Sequence, residues 1–218
     1  MLRALFEKTG NAVWISHLDL MRLFQRAFKR AGLALTHTQG YNPRPSVSIA
    51  LPLSVGVESY CELLDFELDG QKVSCDEIRD KLNDSLVEGV RVRSVYEGSN
   101  KIGNLSYLRC TVTMEYDFGV PAGCKDAVKN LLSRETLFVE KKTKNGLQEQ
   151  NIIPMIRNIA ITQSTDTLVL DGIICCQNPT LNPMQLVAAI RRYLPDYAPD
   201  FAHCCRQEIY DKDENVFR

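Results

Sequence analysis

The stretch "HLDLMRLFQRAFKRA", residues 17–31, decides the fold. Leu20, Phe24, Ala27, Phe28 and Ala31 recur at i, i+4, i+7, i+8 and i+11, which puts them on one face of an α-helix. Ser16, with Asp19 three residues on, forms a capping box in which Asp stands in for the usual Glu or Gln. Gly32 ends the helix, because a left-handed cap costs glycine little. Trp14, the single tryptophan, is expected to staple the helix start. Upstream, "LRALFEKT" (2–9) is a short strand; downstream, "LALTH" (33–37) and "SVSIALPL" (46–53) are extended. "YCELLDFELDG" (60–70) is a strand, "SCDEIRDKLNDSL" (74–86) a helix opened by Ser74 with Glu77 in the capping-box position, and "VRVRSVYEG" (90–98) an alternating strand.

The second half repeats this order. "YLRCTVTMEYDF" (107–118) is a strand, "GCKDAVKNLLSR" (123–134) a helix, and "TLFVEKKTK" (136–144) a strand turned by "KNG" (144–146). "IIPMIRNIAITQ" (152–163) is extended and "DTLVLDGIICC" (166–176) is a strand. "NPMQLVAAIRRYL" (182–194) is a helix with Asn182 as N-cap and Pro183 at the first helical position, and "HCCRQEIY" (203–210) is the last strand. Each half reads strand–helix–strand–strand–helix–strand, so the expected class is α+β, two tandem ferredoxin-like (βαββαβ) domains at 1–100 and 106–218. The join falls in the Gly/Asn/Ser-rich "EGSNKIGNLS", 97–106.

No apolar run approaches the ~20 residues of a spanning helix, and no basic n-region with an apolar h-region opens the chain, so a cytoplasmic protein is expected. Eight cysteines, with no signal peptide, are expected to be small buried hydrophobes rather than a disulfide framework. A thiolate metal site built from the two Cys-Cys pairs, Cys175–Cys176 and Cys204–Cys205, is the other reading. P-loop, G-x-G-x-x-G, G-x-S-x-G and H-E-x-x-H motifs are missing, which argues against a self-sufficient enzyme of those classes and leaves an unusual one open. "ESYCELLDFE" (58–67) is acidic, and none of its carboxylate pairs has a catalytic spacing.

Charge is uneven. Residues 1–50 hold seven cations (Arg3, Lys8, Arg22, Arg26, Lys29, Arg30, Arg44) and two anions, a balance of +5, whereas the whole chain is −1. A basic N-terminal quarter on an acidic body points to a local anionic partner. On the first helix, Arg22, Arg26, Lys29 and Arg30 fall at i, i+4, i+7 and i+8, one stripe. That stripe is either a solvated face or a phosphate-binding one. The loop "HTQGYNPRPS" (37–46) adds Gln39, Tyr41, Asn42 and Arg44; a guanidinium beside an aromatic suits phosphate pairing and base stacking. Pro43 and Pro45 stiffen it, so its side chains lose little entropy on binding. The loop is either such a platform or a plain Gly/Pro connection. His17 is either a packed residue or, on an enzymatic reading, a base for a ribose 2′-OH.

"FEKTGNAVWISHLDLMRLFQRAFKRAGLALTHTQGYNPRPSVSIALPLSVGVESYCELLDFEL" (6–68) resembles the radical-SAM-associated (radical SAM-linked) conserved protein family, whose function is uncharacterised. "EQNIIPMIRNI" (149–159) and "LNPMQLVAAI" (181–190) agree with it in layout. The resemblance implies association: members are fused to, or encoded beside, a radical SAM protein with a cobalamin-binding-like region. This chain has no cluster-binding cysteine motif, so no cofactor is expected on it and the radical enzyme would be a separate chain. A weaker, fold-level likeness is to the repeat-associated RNA-processing endonucleases of CRISPR systems, which also pair tandem ferredoxin-like domains with a helix-borne histidine. The resulting expectation is a non-catalytic accessory protein of a radical SAM enzyme, presenting RNA on a basic N-terminal surface. A metal-independent endoribonuclease using His17 and a pure protein adaptor are the alternatives.

Overall fold

The structure, a computed structural model, describes residues 1–70, 72–143 and 146–218. Lys144 and Asn145 of the expected "KNG" turn lie outside the described residues. The chain is a mixed α+β protein whose contacts divide into two compact units, Met1–Asn104 with Phe217–Arg218, and Leu105–Val216.

The first unit runs β1 (Leu2–Lys8), a 3-10 turn (Gly10–Trp14), α1 (His17–Arg30), β2 (Val47–Ile49), β3 (Val57–Phe66), α2 (Cys75–Ser85) and β4 (Val90–Glu97). Its sheet has the order β4-β1-β3-β2, with every neighbouring pair antiparallel. The helical periodicity holds over His17–Arg30, where Leu20, Phe24, Ala27 and Phe28 are buried, while Ala31 is the half-buried C-cap. Phe24 meets Phe6 of β1 edge-on, with ring centroids 4.8 Å apart, and Phe28 lies 4.8 Å from Phe66 of β3. Such pairs add to the burial of their own area. Ser16 Oγ accepts the Asp19 N–H and Ser74 Oγ the Glu77 N–H, each at 3.2 Å, so both helices start where their caps place them.

In the second unit the order is β5 (Leu105–Glu115), α3 (Cys124–Leu132), β6 (Phe138–Thr143), β7 (Gly146–Asn151), β8 (Ile156–Gln163), β9 (Thr167–Cys175), α4 (Met184–Tyr193) and β10 (Phe201–Asp211). Its strands pair antiparallel in the order β10-β5-β9-β8, while β6 and β7 form a separate hairpin. With that hairpin set aside, both units share one connectivity.

Four local expectations change. Residues 33–37 make only isolated bridges, Leu35 to Leu68 and His37 to Pro45, because the chain folds back on itself instead of running along the sheet. The extended stretch 46–53 is a strand only over Val47–Ile49, with one more bond from Ala50 N–H to Leu63 O (2.9 Å) before Pro52, which has no N–H to give. Trp14 is 66% exposed and does not staple α1. The 3-10 turn carries it outward, while Lys8 Nζ donates to the carbonyls of Val13 and Ile15, both at 3.1 Å. α4 begins at Met184, one residue later than read: Pro183 holds the cap position, and Asn182 Oδ1 accepts the Met184 N–H at 3.0 Å. β7 was not foreseen; its side chains are mostly exposed, so no hydrophobic alternation marks it.

Candidate nucleic-acid interface

Arg22, Arg26, Lys29 and Arg30 are all exposed along α1, but they do not act as one stripe. Arg22, Arg26 and Arg30 line an open groove of about 460 Å³ together with Ile15, Asp19, Leu23 and Val87. Lys29 lines a different, smaller cavity of about 260 Å³ with Gln25, Phe28, Leu33, Leu35, His37 and Pro45. Helical spacing alone does not separate them, since Lys29 falls within about 20° of Arg22 around the axis; its neighbours do, because Lys29 meets Leu33, Leu35, His37 and Pro45 of the chain beyond the helix.

The groove's cations differ in freedom. Arg22 Nη1 donates to Asp19 Oδ1 at 2.9 Å, and Arg30 Nη2 donates to the carbonyl of Ser85 at the end of α2. Asp19 is held below the usual carboxylate range, first by the Ser16 hydroxyl and then by Arg22. Arg26 stands between them. Val87, just past α2, was not a candidate from sequence; its place opposite α1 follows from the packing of the two helices and not from any motif.

The loop at 37–46 is a braced hairpin. Thr38 N–H donates to Arg44 O (2.8 Å), Arg44 N–H to Thr38 Oγ1 (3.0 Å), and Ser46 N–H to Thr36 O (2.8 Å). Its base joins the sheet, with Thr36 N–H donating to Glu67 O at 2.9 Å and Glu67 N–H to Ser46 O at 3.2 Å. Gly40 takes φ +141°, which L side chains rarely adopt. Beyond the brace, Gln39, Tyr41, Asn42 and Arg44 are exposed, Tyr41 at 99%. An aromatic ring fully in water on a fixed turn has the chemistry for stacking against another planar group.

His17, the first residue of α1, is half-buried, and its Nδ1 is enclosed without a hydrogen-bond partner. It is not among the residues lining the Arg22–Arg26–Arg30 groove. Two of the counted cations also leave the surface. Arg3 and Lys8 are both 0% exposed. Arg3 Nε and Nη2 donate to Asp65 at 2.6 and 3.0 Å. The balance of +5 therefore overstates the basic surface, which comes down to α1 and Arg44. Asp65 and Glu62 of the acidic stretch are buried as well, Glu62 accepting the Ser59 hydroxyl at 2.8 Å.

All eight cysteines are thiols, and Cys75 alone of them is not buried. The Cys110 thiol is pushed up, first by its hydrogen bond with Cys204 and then by burial. Among the described residues, no group of three or more His, Cys, Asp or Glu is placed to hold a metal ion, and no helix is long and apolar enough to cross a membrane.

Residues 1–183 match the family described as "Uncharacterized protein conserved in bacteria (DUF2344)". The chain belongs to this family. No curated protein matches it. Among solved structures, it is similar to one titled "Crystal Structure of a Cbf5-Nop10-Gar1 Complex", at 9% identity and a TM-score of 0.50, over 97% of this chain and 50% of that one. The chain thus spans about half the length of that neighbour, and at such identity the likeness shows the fold alone. A second structure, "Crystal Structure of an Unknown Protein from Galdieria sulphuraria", aligns at 11% identity over 94% of this chain and 96% of that one, with a TM-score of 0.27.

Proposed function

We propose that this family member is a non-catalytic accessory protein whose first unit binds single-stranded RNA for a radical SAM enzyme on a separate chain. One observation carries the RNA reading: Tyr41, 99% exposed, is held on a bonded hairpin beside Arg44. The Arg22–Arg26–Arg30 groove supports it by offering backbone phosphates a second basic surface on the same unit. A stacked base and paired phosphates are how proteins hold single strands without reading long sequences. The link to a radical enzyme rests on the likeness of residues 6–68 to radical-SAM-linked proteins. We also read each unit as a ferredoxin-like module, which the shared strand order supports, and the compartment as cytoplasmic, which eight cysteine thiols suit.

The test uses the full chain and labelled single-stranded RNA. A gel shift or polarisation change without cleavage is expected, unaltered in His17→Ala. Metal-independent cleavage lost in His17→Ala would establish the endoribonuclease instead. Absence of binding at low salt would leave the adaptor. Co-expression with the radical SAM homologue of the same host is expected to give co-elution on size exclusion, and independent elution would refute the partnership.

A further inference from the structure

We propose that the end of the second unit bearing Phe118 and Phe201 is a docking surface for an arginine-bearing, basic segment of a partner protein. It stands independently of the nucleic-acid reading of the first unit.

Phe118 is fully exposed, yet it does not sit on a loose loop. Residues 116–120 are clamped from three sides. Tyr116 N–H donates to Asp166 O and Val120 N–H to Thr165 O, both at 2.9 Å. Asp117 N–H donates to Asp200 Oδ2 at 2.8 Å, and the Tyr116 hydroxyl donates to Tyr197 O at 3.0 Å. Gly119 has φ +84°, and a Cβ there would lie 3.2 Å from Thr165 O, so the turn is built for glycine. A rigid turn that holds a benzyl group in water presents a pre-set contact, since little ordering entropy remains to be lost when a partner covers it.

Phe201 opens β10 directly across from Glu115, the last residue of β5, and is itself exposed. Its ring lies 6.2 Å from that of His203 two residues on. Both phenylalanines therefore leave the same end of one sheet. Aromatic anchors of this kind dominate the energetics of protein interfaces.

Charge selects the occupant. The segments that build this end, 115–120, 163–167 and 198–203, contain four carboxylates, Glu115, Asp117, Asp166 and Asp200, and neither lysine nor arginine. All four are exposed. Single-stranded nucleic acid would be repelled here. Arginine fits both elements, because its guanidinium stacks on an aromatic face and pairs bidentately with a carboxylate. His203 Nδ1 lies 3.5 Å from Glu115, and Arg191 donates to the carbonyl of Pro199 at 3.5 Å and so is directed to the backbone.

The experiment is fluorescence polarisation of the full chain with a short labelled peptide carrying arginine at alternate positions, beside its glutamate counterpart. Saturable binding of the arginine peptide and none of the glutamate peptide is expected. Phe118→Ala should weaken it about ten-fold, the usual scale of an aromatic anchor. Asp117→Asn with Asp166→Asn should weaken it further and flatten its salt dependence. Phe118 buries nothing, so an unchanged thermal midpoint verifies the variant's fold. No saturable binding of the arginine peptide, or binding untouched by these variants, would overturn the proposal. So would loss of RNA binding in Phe118→Ala, or loss of self-association in the same variant by analytical ultracentrifugation; the occupant would then be RNA or a second copy.

Discussion

Arg3 shows what a single residue hides from sequence. It alternates within a strand and reads as part of a basic surface, yet it is wholly buried against Asp65 and over the ring of Phe217, 5.2 Å from its centroid. Burial of a cation is decided by a carboxylate 62 positions away, which no local pattern announces. The cost of removing only one partner is large, because the other charge stays desolvated. Asp65→Ala should lower the stability of the first unit by roughly 3–5 kcal/mol, while the double variant Arg3→Met with Asp65→Leu should recover most of it. Urea titration followed by Trp14 emission, a probe within that unit, measures both. A comparable loss in the double variant would contradict the burial argument. Tyr41 is the opposite case: its exposure and its loop were both legible, since Gly and Pro punctuate the stretch. Tyr41→Ala should leave the thermal midpoint unchanged and cost roughly 1–3 kcal/mol of RNA affinity.

At the scale of elements, helices and long strands were readable because their apolar residues keep one period and their caps are local. The capping serines 16 and 74 act as their spacing implies. The failures have causes that hydrophobic period does not carry: Lys8 Nζ bonds the carbonyls around the turn that carries Trp14, and the side chains of β7 are mostly exposed. Gly89 makes a close contact across the sequence. Its φ is +83°, and a Cβ there would stand 2.4 Å from Thr9 O and 2.8 Å from Ala12 Cβ. Gly89→Ala should cost about 2 kcal/mol or more, from positive φ and backbone overlap together, with a shift in Trp14 emission as the 3-10 turn moves. Cross-strand chemistry gives a pH dependence. Arg109 on β5 donates to Asp171 on β9 at 3.1 and 2.8 Å and holds that carboxyl below the usual range. A carboxyl depressed in the folded state contributes stability that is complete above its unfolded value, about 3.9, and is lost as pH falls through the lowered one. The pair is half in solvent, so the contribution stays within about 1 kcal/mol. Acid titration of stability should show a shallower fall in Asp171→Asn than in the parent.

For the whole molecule, two units of one connectivity could be seen in the repeated order of elements. The division of charge between basic N-terminal quarter and acidic remainder was also visible, though its surface form was not: buried Arg3 and Lys8 reduce it, and Lys29 faces a cavity apart from Arg22, Arg26 and Arg30. The stripe read from spacing alone blurred that distinction, because helical spacing places residues around an axis and says nothing of what packs beside them. The proposed function has the first unit hold single-stranded RNA by phosphate pairing along α1 and stacking on Tyr41. Its most direct test is the salt dependence of RNA affinity for the full chain. Log affinity should fall linearly with log salt by roughly 0.7 for each phosphate neutralised. Arg26→Ala with Arg30→Ala should flatten that slope by roughly 1 to 1.5, whereas Tyr41→Ala should weaken binding at an unchanged slope. Binding whose slope is the same in the parent and the arginine variant, or no binding at low salt, would contradict it.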